Sequence, residues 1–234
     1  MDRRKLQPDA IFFDYGHTLV ADTDDKYRDV TRYLAERGID IDRAEFDRGW
    51  QAAEAYSKTY GVRNGGRTWL RDRYWYTFCR EFLVNALGEE AADLADEMYA
   101  TQFFTNTIYP DTIDVLRELR ARGYSLGVIS NWEAPTLYSQ FDRFGMTQFF
   151  THILPSREAE AGKPHPHIFR VALHALGVEP ERAVHVGDSY SCDVIGARDI
   201  GITPIWVNPN GEPTPDGADV LQIMTRTDLL ELVE

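Results

Sequence analysis

The chain has 234 residues, 43% of them hydrophobic, and its 25 basic and 38 acidic side chains leave a formal net charge of −13. That length and apolar content fill a packed core, with room for a smaller inserted domain, and exclude a disordered chain. The acidic balance repels phosphate backbones and anionic lipid surfaces alike, so neither a nucleic acid nor a membrane is expected as a partner. Two cysteines in unrelated contexts, Cys79 and Cys192, read as free thiols. The charged start carries no signal-like apolar stretch and no run suffices to span a bilayer, so a cytoplasmic protein is expected.

In chain order, the first element is Ala10-Ile-Phe-Phe, a short apolar run that ends at Asp14 and suits a strand buried on both faces. From about residue 20 to 107 the pattern turns helical, with no convincing strand. Tyr27, Val30 and Leu34 share a face, as do Phe46, Trp50 and Ala53, the latter behind an Asp42/Glu45 capping box. Trp75, Cys79, Phe82 and Ala86 form a third stripe, and Ala91, Leu94, Ala95 and Met98 a fourth. Gly61 to Arg67 reads as a loop that breaks these helices and can reach outward, and the arginines at 67, 71 and 73 as solvated. Beyond residue 108 helices and strands alternate. A helix over Asp111–Arg122 ends at Gly123, and another begins at Pro166. Strands are expected at Leu126–Ile129, Ala183–Val186 and Ile202–Val207. The fold expected is α/β: a Rossmann-like, doubly wound parallel sheet from residues 1–19 and 108–234, carrying an all-helical domain at 20–107.

Four polar segments sit at strand ends or helix starts: Asp14-Tyr-Gly-His-Thr-Leu19, Ser130-Asn131, Gly162-Lys163-Pro164, and Gly187-Asp188 through Asp193. In an open parallel sheet these gather at the carboxyl edge, where ligands bind. Three carboxylates and one ammonium there sum to −2, which a low-dielectric cleft tolerates poorly. A hard divalent cation such as Mg²⁺ brings the sum to zero and admits a dianionic phosphoryl group. Ser130 and neighbouring backbone N–H groups are placed to hydrogen-bond that group, Lys163 to neutralise it, and Asp14 to attack phosphorus.

In these motifs, with Pro164-His-Pro166-His-Ile168-Phe169 and His185-Val-Gly187 around the last two, the chain resembles the haloacid dehalogenase-like hydrolase superfamily over nearly its whole length. It is most similar to phosphatase-like, hydrolase domain-containing members with a helical cap after the first motif. The resemblance implies a hydrolase of a small phosphorylated metabolite, as a monomer or homodimer, with Asp14 as nucleophile and metal ligand. It implies Asp188 and the Gly16 carbonyl as further ligands, Asp193 as a ligand through water, and Ser130, Asn131 and Lys163 as the phosphoryl-binding set.

One position departs from the pattern. Phosphatases of this family usually carry a second aspartate, an acid and base, where this chain has Gly16. Losing a positioned acid–base group costs about 10²–10⁴ in rate. Gly16 also admits a left-handed backbone that an aspartate resists. Two other readings stay open: metal-free dehalogenation of a 2-haloacid, against which Asp188 weighs, and a non-catalytic binding protein on a decayed phosphatase scaffold. His17 reads as a turn residue rather than a substitute acid. His165, His167 and His185 lack metal-ligand spacing, and Cys192 reads as a small helix-face residue.

Overall fold

The computed structural model describes residues 5–23, 25–63, 74–101, 106–132 and 134–234. The chain divides into two compact units, one made of Met1–Ala21 and Thr107–Glu234, the other of Asp22–Asn106. No helix among the described residues is long and apolar enough to cross a membrane.

The first unit is built on six parallel strands in the order β5-β4-β1-β6-β7-β8. They are β1 (Ala10–Phe13), β4 (Ser125–Ser130), β5 (His152–Pro155), β6 (Ala183–Gly187), β7 (Thr203–Val207) and β8 (Leu221–Ile223). β1 lies in the middle because all four of its residues are apolar and fully buried. Its pleat sends Ile11 and Phe13 to one face and Ala10 and Phe12 to the other. On the first face they join Val115, Leu116 and Leu119 of α5 (Thr112–Ala121) and Leu137 and Phe141 of α6 (Ala134–Arg143). On the second they meet Ile168, Phe169, Ala172 and Leu173 of α7 (Pro166–Leu176). The result is a three-layer α/β architecture. β7 continues through α8 (Gly196–Arg198) on its N-terminal side, and α9 (Leu229–Leu232) closes the chain.

Two three-residue strands, β2 (Val20–Asp22) and β3 (Asn106–Ile108), pair as a separate sheet where the expected pattern held none. Three residues are too few for any periodicity to register. β5 and β8 were likewise without a signal: β5 ends in a proline and β8 spans only three residues.

The second unit holds α1 (Lys26–Ala35), α2 (Arg43–Arg63), α3 (Tyr74–Leu87) and α4 (Ala95–Thr101), with a 3₁₀ turn over Glu89–Leu94. α2 opens with the expected reciprocal box: Asp42 N donates to Glu45 Oε2 and Glu45 N to Asp42 Oδ1, both at 2.8 Å. The four stripes meet in one apolar cluster around Val30, Phe46, Phe82 and Met98. Gly49 lets α2 and α3 close up, since a Cβ there would stand 2.6 Å from the Phe82 carbonyl oxygen. The expected loop at 61–67 begins later than anticipated, with α2 running to Arg63; Asn64–Arg67 and the arginines at 71 and 73 lie outside the described residues.

Candidate active site

Each polar segment sits at the carboxyl edge of the sheet because the strand before it ends there. Asp14 follows β1 and is tied down by its own N–H, which donates to the Val186 carbonyl at 2.8 Å. Ser130 is the last residue of β4, and Asp188 follows β6. Lys163 reaches in from the segment before α7, joined to Pro164 by a cis peptide bond. Asp193 rides on a π-helical turn over Tyr190–Ile195, in which the N–H groups of Asp193 and Val194 both donate to the Ser189 carbonyl. Such turns swing a side chain off the regular helical track. Here Asp193 lies directly over Gly187, where a Cβ would stand 2.3 Å from its Cγ. No residue but glycine fits there.

Lys163, 2% exposed, donates from Nζ to Asp14 Oδ1 at 2.5 Å and to Asp193 Oδ1 at 2.6 Å. Asp193 Oδ2 accepts from Ser189 N at 3.0 Å, and its Oδ1 also lies 2.9 Å from His185 Nε2. The carboxylates of Asp14, Asp188 and Asp193 place oxygens within 4.8 Å of one another. The expected convergence is present: three carboxyl groups crowd around one ammonium. Its strain shows in the ionisation of each group. Burial, then the charges of Asp14 and Asp193, push half-buried Asp188 up to about 7. Burial also acts on Asp193, but Lys163 and His185 outweigh it and hold the carboxyl at about 2. Lys163 is raised, because its two carboxylate partners overcome the cost of burying an ammonium. His185 is lowered, chiefly by burial.

A cleft of about 190 Å³ opens onto this cluster, lined by Asp14, Gly16, His17, Lys163, Asp188 and Asp193 together with Asn131, Trp132 and Cys192. Ser130 stands behind it, fully buried, with Oγ accepting from Trp132 N at 3.1 Å. Asn131 faces Lys163 with both amide atoms: Oδ1 accepts from Lys163 N at 2.7 Å and Nδ2 donates to Lys163 O at 3.1 Å. This clamp fixes the backbone from which the lysine extends. At Gly16 the backbone is not left-handed; the positive φ falls on His17, at 52°. Among the described residues, a Cβ at Gly16 would meet Trp132 Nε1, at an ordinary 3.6 Å. His165 and His167 stay together at the start of α7, where the His165 ring caps His167 N–H.

Two neighbours carry weight that spacing did not reveal. His185 lacks metal-ligand spacing in the sequence, yet its ring pairs with Asp193. Trp206, which read only as part of an apolar strand, donates its indole N–H to the Asp188 carbonyl at 2.8 Å. The register that sets Trp206 beside Gly187 places it there.

The chain compares closely with known proteins. Glyceraldehyde 3-phosphate phosphatase from Methanopyrus kandleri is 28% identical over 85% of this chain and 83% of its own length. Haloacid dehalogenase-like hydrolase domain-containing protein 3 of Homo sapiens is 33% identical over 70% and 68% respectively. Among solved structures, 2-haloacid dehalogenase from Pseudomonas syringae superposes with a TM-score of 0.69, at 25% identity, over 96% of this chain and 97% of its own. The model of the haloacid dehalogenase-like hydrolases matches residues 8–201, and the chain belongs to that family of hydrolases.

Proposed function

We propose that the protein is a Mg²⁺-dependent phosphatase of a small phosphorylated metabolite, working through an aspartyl-phosphate on Asp14, with residues 20–107 as its cap. The observation that carries this reading is the oxygen-only cluster of Asp14, Asp188 and Asp193 wrapped around Lys163. A hard divalent cation fits it: the donors are carboxylates, and Asp188 is pushed up to about 7 by burial and by its like-charged neighbours. Asp14, Asp188 and the Gly16 carbonyl would hold the ion, with Asp193 reaching it through water. Bound there, the ion supplies the positive charge that lets a phosphoryl dianion enter.

The chain's own residues do the rest. Asp14, anchored by its backbone to Val186, presents a carboxylate oxygen to phosphorus, and the bond to the leaving oxygen breaks as the aspartyl-phosphate forms. Lys163, held by the Asn131 clamp and by Asp193, stands beside that carboxylate and faces the phosphoryl oxygens. Ser130 steadies the end of β4 and the segment leading to Trp132. Asp193 is already engaged by three donors, which favours a water-mediated place for it near the ion.

Purified protein should release phosphate from an aryl phosphate only with Mg²⁺, and Asp14→Asn should abolish it; turnover by that variant would rule the nucleophile out. Because Gly16 offers no acid, the leaving oxygen departs without a proton from that position, so aryl and acyl phosphates are the preferred substrates. The backbone at Gly16 is not left-handed and leaves ordinary room for a Cβ, and Gly16→Asp should raise turnover by about 10²-fold for alkyl phosphates and less for aryl ones. A native rate that is flat across leaving-group pKa would show that another donor, His17 first, already does this work.

A second reading keeps one observation in its favour. A halide needs no proton to leave, so Gly16 suits a 2-haloacid dehalogenase as well. Asp188 counts against it, since metal-free chemistry gives no use to a third clustered carboxylate. Chloride release from 2-chloropropionate without divalent metal would decide for that reading.

A further inference from the structure

His185 lies in β6, fully buried, its ring edge-on to Phe169 with centroids 5.3 Å apart. Its Nε2 is 2.9 Å from Asp193 Oδ1, and its Nδ1 has no hydrogen-bond partner among the described residues. A carboxylate only accepts, so Nε2 carries the hydrogen and Nδ1 the lone pair. The same Asp193 oxygen accepts from Lys163 Nζ at 2.6 Å, and Lys163 gives its other bond to Asp14 at 2.5 Å. Four buried side chains thus run in series from a strand in the sheet to the nucleophile: His185, Asp193, Lys163, Asp14.

Two donors on one oxygen compete. The imidazole N–H draws charge from Asp193 Oδ1 and so weakens that oxygen's hold on the ammonium. Without it, Oδ1 faces Lys163 alone and pulls the ammonium harder toward Asp193, away from Asp14 and from any anion beside it. We propose that His185 is a positioning residue, whose hydrogen bond to Asp193 sets how Lys163 is shared between Asp193 and the phosphoryl site. The inference rests on the phosphoryl-site reading above and adds to it a residue that touches neither substrate nor nucleophile.

The test is titration calorimetry of inorganic phosphate into the whole protein under saturating Mg²⁺, with KM and kcat for an aryl phosphate measured alongside. His185→Phe keeps a ring against Phe169 and removes the donor. It should weaken phosphate binding about five- to tenfold and raise KM in step. His185→Gln, whose amide N–H reaches the place of Nε2, should restore binding to within about twofold of native. A structural role alone would lower the folded fraction without changing affinity per folded molecule, and no donor would be needed for rescue. Should His185→Phe fail to fold, His185→Asn takes its place, since its shorter amide falls short of Nε2, with the same expected loss. Native-like phosphate affinity in the donor-less variant, or a Gln variant no better than it, would overturn the inference alone. Native protein that binds no phosphate would overturn the phosphoryl-site reading and the inference with it.

Discussion

The two units treat charge in opposite ways. In the sheet unit the central ion pairs are fully buried and join residues 149 and 30 positions apart in the chain. In the helical unit the interior is aromatic and aliphatic, and most ion pairs among the described residues are local in sequence, such as the exposed pairs Lys26–Asp22 and Arg43–Asp47 at i,i+4. Exposed local pairs contribute a few tenths of a kcal/mol and hold nothing in place over distance. A buried pair is costly to form and costlier to break, which makes sense only where a charge has work to do. Charge burial, more than hydrophobicity, therefore distinguishes the unit that holds the candidate site.

Substitutions can strain this contrast, beginning with the strongest. Lys163→Ala leaves Asp14 and Asp193 buried without their cation, and in metal-free buffer it should cost about 3–5 kcal/mol of stability by urea unfolding. A loss under 1 kcal/mol would mean that the cluster is wetter than its burial indicates. In the helical unit the matching blow is apolar. Phe82, 1% exposed and edge-on to Phe46 and Trp50, should cost about 3–5 kcal/mol on Phe82→Ala through the cavity it leaves.

Among the described residues of the helical unit, Asp29 is the departure from the rule, a buried carboxylate that accepts from Thr23 Oγ1 at 2.5 Å and pairs with Arg28 and Arg32. Burial raises its pKa, but the Thr23 hydrogen bond and the two arginines outweigh burial and leave it lowered. A depressed carboxyl contributes stability in full above its unfolded pKa of about 3.9, and loses it as pH falls through the lower folded value. The stability gap between native and Asp29→Asn should thus hold from neutrality to about pH 4 and close below it. A gap that does not change with pH would assign the effect to packing. The smallest change belongs to Arg43→Ala, expected to move stability by about 0.3–0.5 kcal/mol in thermal unfolding.

What could be read from sequence follows the same division. β1, β4 and β6 announce themselves because strands covered on both faces are continuous apolar runs, and the helical stripes show because each buries one face. β5, β8 and the β2–β3 pair are short or interrupted, and their place is set by neighbours rather than by their own pattern. At the site, the residue types at Asp14, Lys163, Asp188 and Asp193 were legible, and so was their convergence at the carboxyl edge. The role of His185 was not, because its bond to a residue eight positions on exists only once the π-helical turn aims Asp193 back over Gly187. Nor was the backbone after Asp14: the left-handed residue is His17, although the sequence points to glycine at 16.

The strand order has a consequence for how the molecule comes into being. β1 is made first, yet its partners begin at Ser125 and Ala183, so its edges wait unpaired while more than half the chain is synthesised. Contacts of such separation form slowly, because the intervening segment must be closed before they reward it. The helical unit, contiguous and with an apolar core of its own, is positioned to fold while the sheet is still incomplete. A nascent chain that stops short of residue 183 would then carry the helical unit, Asp14 and Lys163, but neither Asp188 nor Asp193 and no β6 to pair with β1. The cluster of Asp14, Lys163, Asp188 and Asp193 is therefore completed only late in synthesis, after the helical unit already has its whole sequence.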